Sequence, residues 1–357
     1  MSWFLAFAGF AALVVLHEAG HFVAAKAVGM KVERFYLFFP PKLVSITRGE
    51  TEYGIGMIPL GGFVKITGMN PEEEVPPEDA HRTYYASPVW KRIVVIAAGP
   101  LVNVIIAFLI LFVLEFSVSE EPSNGVDTVA EDGAAAQILE PGDTLVAIDG
   151  VSGDFADLRE QIATHECEGG SETDGCESAT PVVLTIDRNG EEITREVTPT
   201  YSEDAGRPLL GYVPALQSVD VSPTDAVAAS ADDMWRITSG TVGVLVRIFE
   251  AEQREQISSV VGSYEVTRQA IEFSAAQAFF LLAVISLSLA IINLFPFLPL
   301  DGGHILWSLV EKVRGHPVSF SVMERASVVG ILLVVVLFAI GLTNDIGRLT
   351  GEGFDIR

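Results

Sequence analysis

Basic residues are scarce: 22 Lys and Arg stand against 47 Asp and Glu in 357 residues, a formal net charge of −25. A chain so acidic gains nothing by displacing counterions from phosphates, so nucleic-acid binding is excluded. Such an acidic surface suits a high-salt cytoplasm or medium, where self-repulsion is screened, and a halophilic archaeon is the expected source, with a local adaptation of the most acidic segment as the open alternative. Cysteine is nearly missing too. Cys167 and Cys176 are the only two, which rules out a cysteine-based metal cluster. Both fall in a Gly/Ser/Glu-rich loop, where a disulfide and a pair of free thiols are both open readings. What the chain has in plenty is apolar character, with 49% hydrophobic residues and a mean hydropathy of +0.40. That excludes intrinsic disorder and exceeds what an ordinary soluble domain carries.

The apolar residues gather in four stretches long enough to cross about 30 Å of hydrocarbon at 1.5 Å per residue. They run from Ser2 to Val28, Ile93 to Phe116, Ala275 to Leu300 and Ala326 to Thr343, and the third holds no charged residue. Residues 226–249 are apolar only in patches and carry Asp232, Asp233, Arg236 and Arg247. They read as an amphipathic helix lying on the membrane or packed at the bundle edge. A cleaved signal peptide is the rival for the first stretch, through Ala25-Lys26-Ala27. No Lys or Arg precedes Lys26, however, and a signal core has no use for His17, Glu18 and His21.

Orientation follows from the basic residues. The 29–92 loop holds eight and the 301–325 loop three, while 119–224 holds four against 23 acids. The positive-inside rule therefore puts 29–92 and 301–325 in the cytoplasm and 119–274 outside, with both termini external. The fold class expected is an α-helical polytopic membrane protein of four transmembrane helices, with a membrane-associated β-hairpin and an inserted extracytoplasmic α+β domain.

Inside the first stretch lies His17-Glu18-Ala19-Gly20-His21. Residues i and i+4 share a helix face, so both imidazoles can reach one ion while Glu18 points toward its open position. Ionisable groups in an apolar helix each cost on the order of 2–3 kcal/mol to insert, so a trio there calls for a compensating role. A catalytic zinc needs a third protein ligand and a vacant fourth position. Asp301, directly after the charge-free stretch in Asn293-x-x-Pro296-x-x-Pro299-Leu300-Asp301-Gly302-Gly303-His304, is the best candidate. Taken alone, Asp301 reads as a helix N-cap with Gly302-Gly303 as the turn; beside His17 and His21 that becomes the lesser reading. Pro296 and Pro299 break the helix, which membrane depth tolerates only in protein or along a cavity. His304 is a further candidate near the ion, whereas His81, His165 and His316 are read as solvent-exposed loop residues.

Four motifs in this order now make a joint match: His17-Glu18-x-x-His21, Gly54-Ile-Gly-Met-Ile-Pro59-Leu60-Gly61-Gly62-Phe63-Val64-Lys65, Ala98-Gly99-Pro100-Leu101-Val102-Asn103, and the Asn293–Gly303 segment. The chain resembles the site-2 protease family of intramembrane zinc metalloproteases, in particular the bacterial type with a PDZ domain between its second and third spans. The resemblance implies one Zn²⁺ per chain on His17, His21 and Asp301, with Glu18 as the catalytic acid/base. It also implies that the Gly61-Gly62 segment is a membrane-associated hairpin or re-entrant loop beside the active site. From the residues, Glu52–Ile66 fits two short strands with Gly61-Gly62 at the turn and Pro59 confining its strand to an edge. By resemblance Asn103 and Asn293 contact substrate or brace the site; interhelical hydrogen bonding is the equal alternative.

In the external segment, Glu140-Pro-Gly-Asp143-Thr-Leu-Val-Ala-Ile-Asp149-Gly150 resembles the PDZ pattern of proteases, interrupted by an insertion at 164–180. Val182 onward is a strand entering an Asn189-Gly190 turn and a second strand through Val197. The domains expected are 1–118, the first membrane half; 119–203, PDZ-like; 204–274, linker and amphipathic helix; and 275–357, the second membrane half. The partners implied are a transmembrane protein substrate, the lipid bilayer, and an extended peptide or free C-terminus on the PDZ domain. A catalytically inactive scaffold presenting a PDZ domain is the alternative, and loss of Glu18 would have favoured it. A metal transporter would be expected to show an internal repeat, and none is visible.

Overall fold

The apolar stretches and the acidic segment between them separate into two units in a computed structural model, residues 1–117 with 222–357, and residues 118–221. All residues are described except 71–72, 118–119, 168–172, 204, 248–249, 251–253, 255–256 and 352–357. The expected domain limits at 118–119 and 204, part of the 164–180 insertion and the C-terminal end therefore lie outside the described residues.

In the first unit, four described helices are long and apolar enough to cross a membrane. They are α1 (Ser2–Ala27), α2 (Val89–Ser117), α6 (Ala275–Asn293) and α8 (Phe320–Thr350). The third is shorter than the 275–300 span read from sequence. Prolines at 296 and 299 supply no N–H, and the helix ends at Asn293. After that break comes α7 (Asp301–Arg314), whose N-cap is Leu300. Asp301 is thus the first helical residue rather than the cap, and Gly302-Gly303 lie inside the first turn rather than forming a turn of their own. The amphipathic helix α4 (Pro223–Val246) begins with Ser222 accepting from the Asp225 amide. Met234 and Ile237 of α4 pack on Ala107, Leu111, Ala283 and Leu287, which places α4 at the bundle edge. A further helix, α5 (Val260–Phe273), leads into α6.

The hairpin differs from its expected form. Its strands are long, β1 (Val32–Arg48) and β2 (Thr51–Ile66), paired antiparallel around a turn at Gly49-Glu50. Gly61 and Gly62 lie within β2, not at its turn, and Gly62 pairs with Leu37. The register is irregular: Tyr36 faces both Phe63 and Gly54, and Leu37 faces both Gly62 and Ile55. The 34–37 segment therefore sits inside the sheet, with 62–66 on its flank. Among the described residues no other strand pairs with 62–66. Leu43, Val44, Ile46, Met57 and Ile58 are exposed on this sheet.

The second unit is a five-stranded sheet of order β6-β5-β4-β3-β9, from β3 (Glu120–Val129), β4 (Thr144–Ile148), β5 (Val182–Arg188), β6 (Glu191–Val197) and β9 (Tyr212–Ser218). A small pair, β7 (Thr200–Ser202) and β8 (Arg207–Leu209), lies apart from it. Helix α3 (Phe155–Ala163) opens with a capping box between Asp154 and Asp157. Its Leu158 and Ile162 join Leu145, Ile148, Val182, Leu184, Ile186 and Val197 in the core. Asn189 and Gly190 make the β5–β6 turn with positive φ, as the sequence indicates. The unit runs to residue 221 rather than 203 because β9 pairs with β3. Cys167 and Cys176 are joined in a disulfide with Cα atoms 5.9 Å apart, so the free-thiol reading falls. His165 is not a solvent-exposed residue either. Its Nε2 lies 2.8 Å from Asp149 Oδ2 and its Nδ1 2.9 Å from Thr180 Oγ1, which ties the insertion to the sheet.

Candidate metal centre

Helical spacing puts His17 and His21 on one face of α1, and both are buried, as is Gly20 between them. The break after Asn293 brings Asp301, at the head of α7, to the same point. Asp301 Oδ2 lies 3.3 Å from His17 Nε2 and 3.3 Å from His21 Nε2. The two Nε2 atoms are 3.3 Å apart. Among the described residues this is the group of three or more His, Cys, Asp or Glu placed to hold a metal ion.

The donor set fits a metal on three counts. His21 Nδ1 lies 2.9 Å from the Val95 carbonyl oxygen, which can only accept, so the proton sits on Nδ1 and Nε2 of the neutral ring presents a lone pair. Asp301 Oδ2 is buried and has no hydrogen-bond donor. Atoms that face one another as acceptors need a cation between them. A tetrahedral zinc with bonds of about 2.0–2.1 Å would also set its ligands about 3.3–3.4 Å apart, the spacing found here.

Two glycines let backbone and side chain meet at this point. A Cβ at Gly99 of α2 would collide with the His21 imidazole, and one at Gly62 of β2 would collide with the Glu18 side chain. The hairpin thus passes directly against Glu18, which is half-buried. Gly61, with φ +147, lies against the Phe39 ring instead. Asn103, one turn beyond Gly99, is fully buried and both side-chain polar atoms lack a protein partner. Its backbone oxygen accepts from Ser286 Oγ of α6 at 2.9 Å. Asn293 closes α6 half-buried, and Pro296 and Pro299 lie exposed in the connection that follows. His304 is not part of the donor triad, and His81 and His316 are exposed as expected.

Sequence reasoning missed the Val95 carbonyl and the packing role of Gly99. Gly99 was visible within Ala98-Gly99-Pro100, but which side chain it would admit depends on how α1 and α2 meet. Backbone carbonyls have no sequence signature at all.

Comparison with known proteins follows the same direction. The profile described as "Peptidase family M50" matches residues 5–337. Zinc metalloprotease Rip1 of Mycobacterium tuberculosis is 30% identical over 381 residues, covering 93% of this chain and 94% of its own length. A candidate zinc metalloprotease of Agrobacterium fabrum is 29% identical over 367 residues, with 95% and 94% covered. Among solved structures, the PDZ domain of an SdrC-like protein from Listeria innocua is 20% identical over 28% of this chain and 99% of its own, with a TM-score of 0.22, too low to bear on the fold.

Proposed function

Since the chain belongs to peptidase family M50, we propose that it cuts transmembrane segments of membrane-tethered regulatory proteins, or signal peptides, inside the bilayer. It is a zinc metallopeptidase and a multi-pass membrane protein. The observation that carries the proposal is the triangle of His17, His21 and Asp301 donor atoms, each 3.3 Å from the next, with Glu18 one residue away beside an open strand edge.

In this reading His17, His21 and Asp301 hold the zinc. When bound, zinc supplies Lewis acidity, bringing the pKa of an attacking water to about 7 and polarising the scissile carbonyl. Glu18 accepts the proton from that water and returns it to the leaving nitrogen. A substrate helix hides its carbonyls in its own hydrogen bonds and must unwind before attack. The 62–66 flank of β2 offers unpaired backbone groups on which the unwound stretch can pair as an added strand. Gly62 keeps that strand close to Glu18. Asn103 and Asn293 contact the substrate or brace the site, and Pro296 and Pro299 keep open the backbone before Asp301.

The Lys/Arg distribution supports a site toward the cytoplasm and an extracytoplasmic 118–221 unit, and the Cys167–Cys176 bridge agrees with an oxidising compartment for that unit. We assign it a PDZ role, admitting substrates by an extended segment or free C-terminus. The test is a paired measurement on detergent-purified protein: bound metal, and cleavage of a model transmembrane substrate, for wild type and Glu18→Gln. Near-stoichiometric zinc in both is expected, with cleavage at least 10²-fold lower in the variant. Absence of metal from both would sink the protease reading.

A further inference from the structure

Arg92 is only 3% exposed, although it stands at the mouth of an apolar helix. Its guanidinium forks onto Glu311 of α7, Nη1 donating to Oε2 at 2.9 Å and Nη2 to Oε1 at 2.6 Å. The rings of Tyr84 and Tyr85 flank it, with centroids 5.9 and 5.7 Å from the guanidinium carbon. A charge taken out of water this far persists only with a well-formed partner, and loss of that partner leaves it stranded. The planar fork is a geometric constraint that an ammonium cannot reproduce.

The pair matters because of what each end carries. Glu311 lies ten residues along the helix that begins with Asp301, about 15 Å at 1.5 Å per residue. At its other end α7 is seated by Gly302 and Gly303, whose added Cβ atoms would strike the backbone of residues 294–298. The helix bearing one ligand is thus fixed at both ends. Three residues beyond Arg92, on the same turn of α2, the Val95 carbonyl fixes the His21 ring. One turn of α2 therefore touches both ligand-bearing helices: α1 through a carbonyl, α7 through a guanidinium.

We propose that Arg92 is a positioning residue of the metal centre: its fork to Glu311 sets α7, and with it Asp301, in register with the imidazole that Val95 orients. The proposal rests on the reading of His17, His21 and Asp301 as the ligands. A ligand set must be held within about 0.5 Å to bind its ion in the productive geometry, and a helix freed at one end loses that tolerance.

The test uses full-length protein in detergent, loaded with Co²⁺ in place of zinc, for wild type, His17→Ala, Glu311→Gln, Arg92→Lys and the charge-swapped pair Arg92→Glu with Glu311→Arg. Metal affinity is read by chelator competition, and ligand geometry by the d–d absorption at saturating Co²⁺. Glu311→Gln and Arg92→Lys are expected to bind at least tenfold more weakly and to show an altered absorption even when saturated. The swapped pair is expected to recover part of both. An altered saturated spectrum separates positioning from mere loss of stability, and Arg92→Lys serves if Glu311→Gln fails to fold. Wild-type affinity and spectrum in both single variants would overturn the proposal while leaving the site intact. Co²⁺ retained by His17→Ala would instead overturn the ligand reading on which it rests.

Discussion

The two units dispose their aliphatic and polar side chains differently. In the membrane unit many large aliphatic side chains face outward, with Val328, Val329 and Leu332 each more than 60% exposed. The buried positions include His17, His21, Arg92, Asn103, Ser286 and Asp345. In the 118–221 unit Val182, Leu184 and Ile186 are fully buried, while Glu191 and Glu192 lie outside. The solvent accounts for the difference. Lipid tails are as apolar as leucine, so helices in a bilayer gain little by hiding aliphatic surface and associate through close backbone approach and paired polar groups. A water-facing sheet gains from every aliphatic carbon it covers. The corresponding weak points are an added methyl at a glycine contact in one unit and a missing methylene in the core of the other.

Gly99→Val should do the greatest damage. Its added carbons enter the space of the His21 ring, so either α1 and α2 separate or the imidazole turns away from Asp301. A displacement on the order of 1 Å costs about 10²-fold in rate, and zinc content should fall with it. Retained zinc and near-wild-type cleavage would show that the α1–α2 contact is looser than the structure has it.

Leu184→Ala comes next. Leu184 is fully buried among core neighbours, so its truncation should cost about 2–5 kcal/mol in that unit. Chemical denaturation of the whole chain should show an earlier transition for the 118–221 unit, with zinc content unchanged. If zinc were lost as well, the two units would not be energetically separate and the contrast between them would fail.

How much of this was legible in the sequence follows the same division. The four long helices were read from apolar length alone, because lipid imposes that pattern on any spanning segment. His17, Glu18 and His21 stood out because charge is improbable there. The β5–β6 turn was fixed by Asn189-Gly190, whose positive φ few other residues adopt. The β1–β2 hairpin was misplaced. Gly61-Gly62 has the composition of a turn, but Gly62 serves a close approach to Glu18 and Gly61 lies against the Phe39 ring, which only tertiary packing reveals. Arg92 counted only as one of the eight basic residues of the 29–92 loop, since its partner Glu311 is 219 residues away. Strand β9 lay beyond the expected domain edge for the same reason: its pairing with β3 joins the two ends of the unit.

The smallest effect concerns Asp143, 2% exposed in the second unit. Its carboxylate accepts from Arg188 Nε and Nη2, each at 2.8 Å, and from the Glu140 amide at 2.8 Å. The Arg188 guanidinium is the main cause that holds it below the usual carboxylate range, and the Glu140 amide adds to it against the opposing effect of burial. A carboxylate depressed in the folded state binds fewer protons there than in the unfolded chain, so stability rises with pH across its titration. The contribution is complete above the unfolded value of about 3.9 and is lost as pH falls through the lower folded value. Asp143→Asn should therefore lower the denaturation midpoint of this unit at pH 7 by less than Leu184→Ala does, and the gap to wild type should narrow below about pH 4. A gap that stays constant from pH 7 to pH 3 would mean that Asp143 acts through shape and neutral hydrogen bonding, and that the water-facing unit, outside its apolar core, does not depend on the charge of this pair.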